Sequence, residues 1–235
     1  MTEPAGSERG GLSTDRLEAL VDGVFAVVIT LLILNLKVPQ VSQQLSAAQA
    51  SQELLHDLGQ LLPTVLAYVI SVVIAGVYWV GHHNQFGLIR HTDRVLLWIN
   101  VLFIMCVVFI PFSAALLGAY PRQQVAVIVY GSNLIVIGLV LALHWRHATA
   151  GHRLVAPDLD PGLIRLAMRR ILMGPCWYLA AVALSFLNTG VSIIIYVLVP
   201  ILFIVPGRLD RHPEFRSGQR PDAPAEGSAH PDIPA

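Results

Sequence analysis

"RLEALVDGVFAVVITLLILNLKVP", residues 16–39, decides the fold. Its apolar run approaches the about 20 residues that a membrane-spanning helix needs, yet Arg16, Glu18 and Asp22 stand at one end and Thr30 in the apolar middle. A carboxylate toward the bilayer centre costs roughly 2.5–3.5 kcal/mol on insertion scales, so Asp22 needs a partner or water. Arg16 is six residues away, on a largely different helix face, so that partner is expected on another helix. Arg16 itself sits where its long stem can reach the headgroups. Val27, Thr30, Leu31 and Leu34 follow i, i+3, i+4, i+7 spacing and share one face, with Gly23 and Ala26 as small neighbours. Two readings of that stripe stay open on pattern alone. It is a packing or lipid-facing surface whose Thr bonds back to the preceding turn, or it is a pore lining in which a polar ring stands beside a hydrophobic constriction.

The rest of the chain has the same character. Of its 235 residues 55% are hydrophobic and 13% charged, and a mean hydropathy of +0.65 is that of an all-α, polytopic membrane protein. Fifteen basic residues balance fifteen acidic ones, so no overall field favours nucleic acid. Spans are expected at about 17–36, 61–81, 95–118 and 124–144. Residues 171–207 carry no charge. As one helix they would measure about 55 Å against a hydrocarbon core of ~30 Å. The stretch must fold back, and "NTG" at 188–190 is the turn signal, giving spans at about 171–187 and 191–206 and six in all. The connection at 38–60 is expected to carry a short amphipathic external helix through Leu45, Leu54, Leu55 and Leu58.

With the N-terminus inside, only Lys37 and Arg122 of the fifteen basic residues fall outside, so both termini are expected in the cytoplasm. No charged region precedes an apolar core and cleavage site at the start, so the first helix is read as retained. Residues 1–11 and the Pro-, Gly- and charge-rich 208–235 are expected to be disordered, flanking a six-helix transmembrane domain at 12–207.

Candidate partners for Asp22 lie in "YWVGHHNQF", 78–86, where Trp79 and His83 share a face. His82 and His83 read either as hydrogen-bonded structural groups or as a proton or ion path. Adjacent histidines without a carboxylate or thiol at ligand spacing do not make a metal site. Cys106 and Cys176 lie in apolar runs and read as packing residues. Neither GxSxG, HExxH nor a P-loop occurs, so no enzyme and no cofactor is expected. The first three spans do not repeat as the last three, which weighs against a transporter built on inverted halves with Asp22 as its coupling carboxylate; a non-conducting scaffold is the third reading.

Arg16, then "LEA", then Leu20, Val21 and Asp22, together with "GVFAVVITLLIL", "LKVP", "WVGHHNQF" and "LLWINVLFIMCVVFIPFSAALLG", resemble the transmembrane protein 175 family of lysosomal and prokaryotic potassium channels, whose first helix carries an R-x-x-x-F-S-D motif. The resemblance covers most of residues 12–207. It implies a homotetramer of six-helix subunits in the bacterial plasma membrane, with the first helices around a central pore. The function it implies is a potassium-permeable, leak-type cation channel of weak to moderate selectivity, with protons and other monovalent cations as further candidate permeants. Val27 then takes the position of the aliphatic constriction, Thr30 that of the polar selectivity ring, and Leu34 that of a further apolar ring. Arg16, Asp22, Trp79 and His83, joined by Asn100 on the third span, match the polar network tying the first helix to its neighbours. Leu20 and Val21 replace the motif's Phe and Ser, so Asp22 is expected to lean more on the second span. Val27 is smaller than the usual Ile or Leu, which implies a wider constriction. Asn35 stands where an acidic residue is common, lowering local cation concentration at the outer mouth.

Overall fold

A computed structural model describes residues 14–42 and 44–204; the expected disordered tails lie outside them. The described residues are all-helical, with one isolated β-bridge among them, between Ile89 and Val155. The helices are α1 (Thr14–Ile33), α2 (Ala47–Gln60), α3 (Leu62–Phe86), α4 (Arg94–Val108), α5 (Ile110–Ala119), α6 (Gln124–Thr149), α7 (Pro161–Leu184) and α8 (Thr189–Ile204). Among the described residues, Leu62–Phe86, Arg94–Ala119 and Gln124–His152 are long and apolar enough to cross a membrane, and α8 is a shorter apolar helix. The chain is a multi-pass membrane protein. The difference from six uniform spans has a physical source. Arg16, Glu18 and Asp22 occupy the first half of α1, Arg165, Arg169 and Arg170 that of α7, and α8 has only 16 residues.

Local chemistry sets the boundaries. Ser46 and Gln49 form a reciprocal capping box at the start of α2, so the short helix of the 38–60 connection begins at 47 and takes in Leu54, Leu55 and Leu58 but not Leu45. Asp160 accepts from the Gly162 amide and Pro161 opens α7, ten residues before the expected start of that span. Pro111, without an amide hydrogen, separates α4 from α5 inside one apolar stretch. At 188–190 the Asn188 side chain accepts from the Gly190 amide and turns the chain into α8.

α6 is the most buried span, packed against α4, α5, α7 and α8. Buried tyrosines tie it to its neighbours: Tyr78 donates to the Leu134 carbonyl (2.6 Å), Tyr196 donates to that of Val127 (2.9 Å), and Tyr130 pairs with Ser71 (2.9 Å). Between helices in lipid, close approach replaces the hydrophobic effect as the source of cohesion. Gly138 provides that approach: a Cβ there would overlap the Pro175 ring, which is fixed to the α7 backbone. Gly138→Ala is therefore expected to destabilise the subunit by about 1–3 kcal/mol, read as a lower thermal midpoint of the detergent-solubilised protein.

A second cluster, of Ile89, Leu96, Trp145, Leu154, Leu159 and Leu163, folds the 150–160 loop under the bundle. There Asp93 caps α4 through the Leu96 amide (2.7 Å) and accepts from His147 Nε2 at 2.8 Å. Burial alone would raise the Asp93 carboxyl, but the Leu96 amide, His147 and the Arg153 charge outweigh it and hold it below its ordinary value. The folded state thus binds this proton less readily than the unfolded chain. The stabilisation is complete above the ordinary carboxylate pKa of about 4 and is lost as pH falls through the lower folded value. Acid melts should accordingly show a steeper loss of midpoint below about pH 4 in the wild type than in Asp93→Asn.

Candidate functional site

α1 packs by one narrow stripe. Leu17, Val21, Phe25, Val28 and Leu32 are buried against α3, α4 and α5, and Phe25 lies 6.1 Å from Phe103 of α4 between ring centres. Val24 and Ile29 are half-buried at its edges, and the side of the helix that carries Val27 is open. Val27 is 55% exposed and Leu34 70%, whereas Val28 and Leu32 are 0%. Thr30 lies on the same open side. Leu20 and Gly23 extend that stripe toward the N-terminus: Leu20, Val27 and Leu34 recur every seven residues, with Gly23 and Thr30 beside them. Leu20, one of the two departures from the family motif, thus shares the face of Val27 and Leu34, while the other, Val21, is fully buried.

The Thr30 hydroxyl donates to the Val27 carbonyl at 2.8 Å. This is the back-bonding arrangement of a helical threonine, and it has a chemical consequence: with its proton committed to its own helix, the oxygen presents lone pairs outward. At the other end of α1, Asn35 donates to the Pro111 carbonyl (3.1 Å), clipping the chain to the start of α5.

The polar residues at the N-terminal end of α1 and the C-terminal end of α3 form two groups. In the first, Trp79 Nε1 donates to Asp22 Oδ1 at 2.8 Å, and His83 Nδ1 donates to Glu18 Oε1 at 2.6 Å. The Trp79 and His83 rings stack at 5.9 Å, so the i, i+4 pair on α1 meets an i, i+4 pair on α3. His83 therefore binds Glu18, a residue outside the expected network, rather than Asp22. The matching four-residue spacing of Glu18–Asp22 and Trp79–His83 was the signal for it. Arg16 is exposed and, among the described residues, makes no hydrogen bond or ion pair with this group. Trp79→Phe keeps the stacking but removes the donor to a carboxylate, and is expected to loosen α1 from α3 by about 1.5–3 kcal/mol. Thermal unfolding of the two proteins at equal detergent concentration checks this.

Asn100 belongs to the second group, in the core. Its Oδ1 accepts from His82 Nε2 at 2.9 Å, and both residues are buried. His82 stacks on Phe86 and Phe103 and lies 5.5 Å from His144, which pairs with Gln85 at 2.7 Å. Gln85 in turn donates to the Leu141 carbonyl. Asn100 thus joins α4 to α3 without touching the Asp22 group, and Gln85 and His144 extend the polar core to α6. No group of three or more His, Cys, Asp or Glu side chains arranged for a metal occurs among the described residues.

Comparison with known proteins follows the same residues. Residues 16–111 match the family model described as endosomal/lysosomal potassium channel TMEM175. A potassium channel of Chamaesiphon minutus is 38% identical over 183 residues, covering 77% of this chain and 88% of that one. A potassium channel of Streptomyces collinus is 35% identical over 182 residues, covering 76% and 85%. The crystal structure of a lysosomal potassium-selective channel TMEM175 homolog from Chamaesiphon minutus superposes with a TM-score of 0.70 at 36% identity, covering 81% of this chain and 95% of that chain. Packed in that fold and similar to those channels over three quarters of its length, the chain belongs to the TMEM175 family, a family of ion channels and not of enzymes.

Proposed function

We propose that this chain is the subunit of a homotetrameric, leak-type potassium channel of the bacterial plasma membrane, with six spans per subunit, both termini in the cytoplasm and four copies of α1 around the conduction axis. The observation that carries the reading is the open face of α1. A helix held by one stripe leaves Leu20, Val27 and Leu34 uncovered, and Thr30 offers an acceptor oxygen between apolar neighbours. Four Val27 side chains form the hydrophobic constriction and four Thr30 oxygens replace part of a cation's hydration shell. An oxygen whose proton is committed elsewhere favours a cation over an anion. The relatives named as potassium channels support potassium as the permeant ion. The Asp22–Trp79 and Glu18–His83 pairs hold the inner half of α1 against α3, and Arg16 anchors it at the headgroups. Their titratable groups at the inner entrance support protons as a second permeant.

Purified protein in liposomes tests the function. Under a potassium gradient, current should reverse near the potassium equilibrium potential and should not saturate as a carrier would. Coupled, saturating exchange would favour a transporter, and the lack of any flux a scaffold.

A further inference from the structure

α2 is the helix that the subunit leaves uncovered: none of its residues is buried. Its sequence nevertheless sorts its side chains by chemistry. At about 3.6 residues per turn, Leu54 and Leu58 lie on one side with Leu55 beside them, and Gln52, His56 and Gln60 lie nearly opposite. All six are exposed. The half-buried residues Ala50, Glu53 and Asp57 occupy the edge between those faces, so this edge is the one turned to the rest of the subunit. α2 thus touches its own subunit along one side and leaves two opposite faces free, one of leucine and one of amide and imidazole groups. A helix surrounded by water gains nothing from that separation. A helix lying along a bilayer boundary requires it, with acyl chains against one face, water against the other and protein at the side.

The junction with α3 places the leucine face at such a boundary. Pro63 has no amide hydrogen to continue the α2 ladder, so the chain forms two helices on either side of Leu61. Across this break the four-residue step persists: Leu54, Leu58, Leu62 and Leu66 are all exposed. The last two belong to α3, which is long and apolar enough to cross a membrane. The uncovered leucines of α2 are therefore continuous with the uncovered flank of a membrane span. α2 contains neither Lys nor Arg, and it carries the carboxylates of Glu53 and Asp57. Burial of apolar area can hold such a helix at the bilayer, whereas attraction to anionic headgroups cannot.

We propose that α2 is an interfacial helix, with Leu54, Leu55 and Leu58 in the boundary between headgroups and acyl chains and with Gln52, His56 and Gln60 in water. The proposal needs only that the chain is inserted in a membrane, so it stands or falls separately from the conduction reading.

Nitroxide labels on single cysteines test it, in the full chain with Cys106 and Cys176 replaced by alanine, reconstituted in dioleoyl phosphatidylcholine vesicles. Oxygen concentrates in the acyl region and a neutral nickel chelate in water, so the ratio of their collision rates with the label reports which of the two surrounds it. That ratio should be severalfold higher for Leu54→Cys, Leu55→Cys and Leu58→Cys than for Gln52→Cys, His56→Cys and Gln60→Cys, following the helical period. Because all six side chains are exposed in the subunit, each labelled protein should share the wild-type elution volume. Frequent collision with the nickel chelate on both faces would put α2 in water and overturn the proposal. Immobile labels at the three leucine positions, reached by neither reagent, would also overturn it and would make the leucine face a contact with a second copy of this chain.

Discussion

Val27→Trp should reduce potassium flux by about two orders of magnitude while leaving the subunit folded, as expected where bulk is added to a hydrophobic constriction that gates by excluding water. The contrast with its neighbour makes the experiment informative. Val27 is 55% exposed in the subunit, so an indole there displaces nothing within it. Val28, next in sequence, is completely buried on the stripe that binds α1 to the bundle. Val28→Trp overpacks that interface and should cost about 1–3 kcal/mol of stability, read as a lower thermal midpoint. Two adjacent valines are thus expected to fail differently, one in conduction and the other in folding. Val27→Ala extends the series in the opposite direction: a wider, more easily wetted constriction and higher flux.

Thr30→Ala should lower the potassium over sodium permeability ratio on the order of tenfold, equivalent to about 1.4 kcal/mol of differential stabilisation, with current retained. The hydroxyl donates within its own helix, so the substitution removes an outward acceptor without stranding a buried partner. The helix itself should not suffer, because alanine has the higher propensity. Thr30→Ser restores the oxygen and should restore most of the selectivity, whereas Thr30→Val keeps the shape and should not. Reversal potentials in bi-ionic liposome recordings separate the three. A ratio that followed side-chain volume instead of the presence of oxygen would locate selectivity elsewhere.

The parts of this account that were legible in the sequence are those that depend on one helix at a time. Helical periodicity gave Val27, Thr30 and Leu34 a common face, and the structure leaves that face open. The cost of burying a carboxylate required a partner for Asp22 on another helix, and Trp79 is that partner. Contacts that need two helices in known register were not legible. Glu18 finds His83 across 65 residues of sequence, and His144 finds Gln85 across 59. Nothing local to Asn100 distinguished a place beside Asp22 from its actual place beside His82. The early start of α7 is a different matter: Asp160 and Pro161 formed a readable start signal, but three arginines in the first half of the helix made the segment resemble a loop. In sequence Leu20 is a departure from the family motif, and its place on the stripe of Val27 and Leu34 makes it part of the same open surface.

The central claim is that the open face of α1 lines a water-filled axis rather than facing lipid. Cysteine accessibility tests it most directly, in a background where Cys106 and Cys176, the free thiols of the described chain, are replaced by alanine. A lipid-facing thiol stays protonated and beyond reach of a charged reagent, whereas one in a wet pore forms thiolate and reacts. A cationic methanethiosulfonate reagent is predicted to block current through Thr30→Cys and Val27→Cys and to leave Val28→Cys and Leu32→Cys unaffected. Undiminished current through Thr30→Cys and Val27→Cys, with their thiols recovered unmodified, would contradict it.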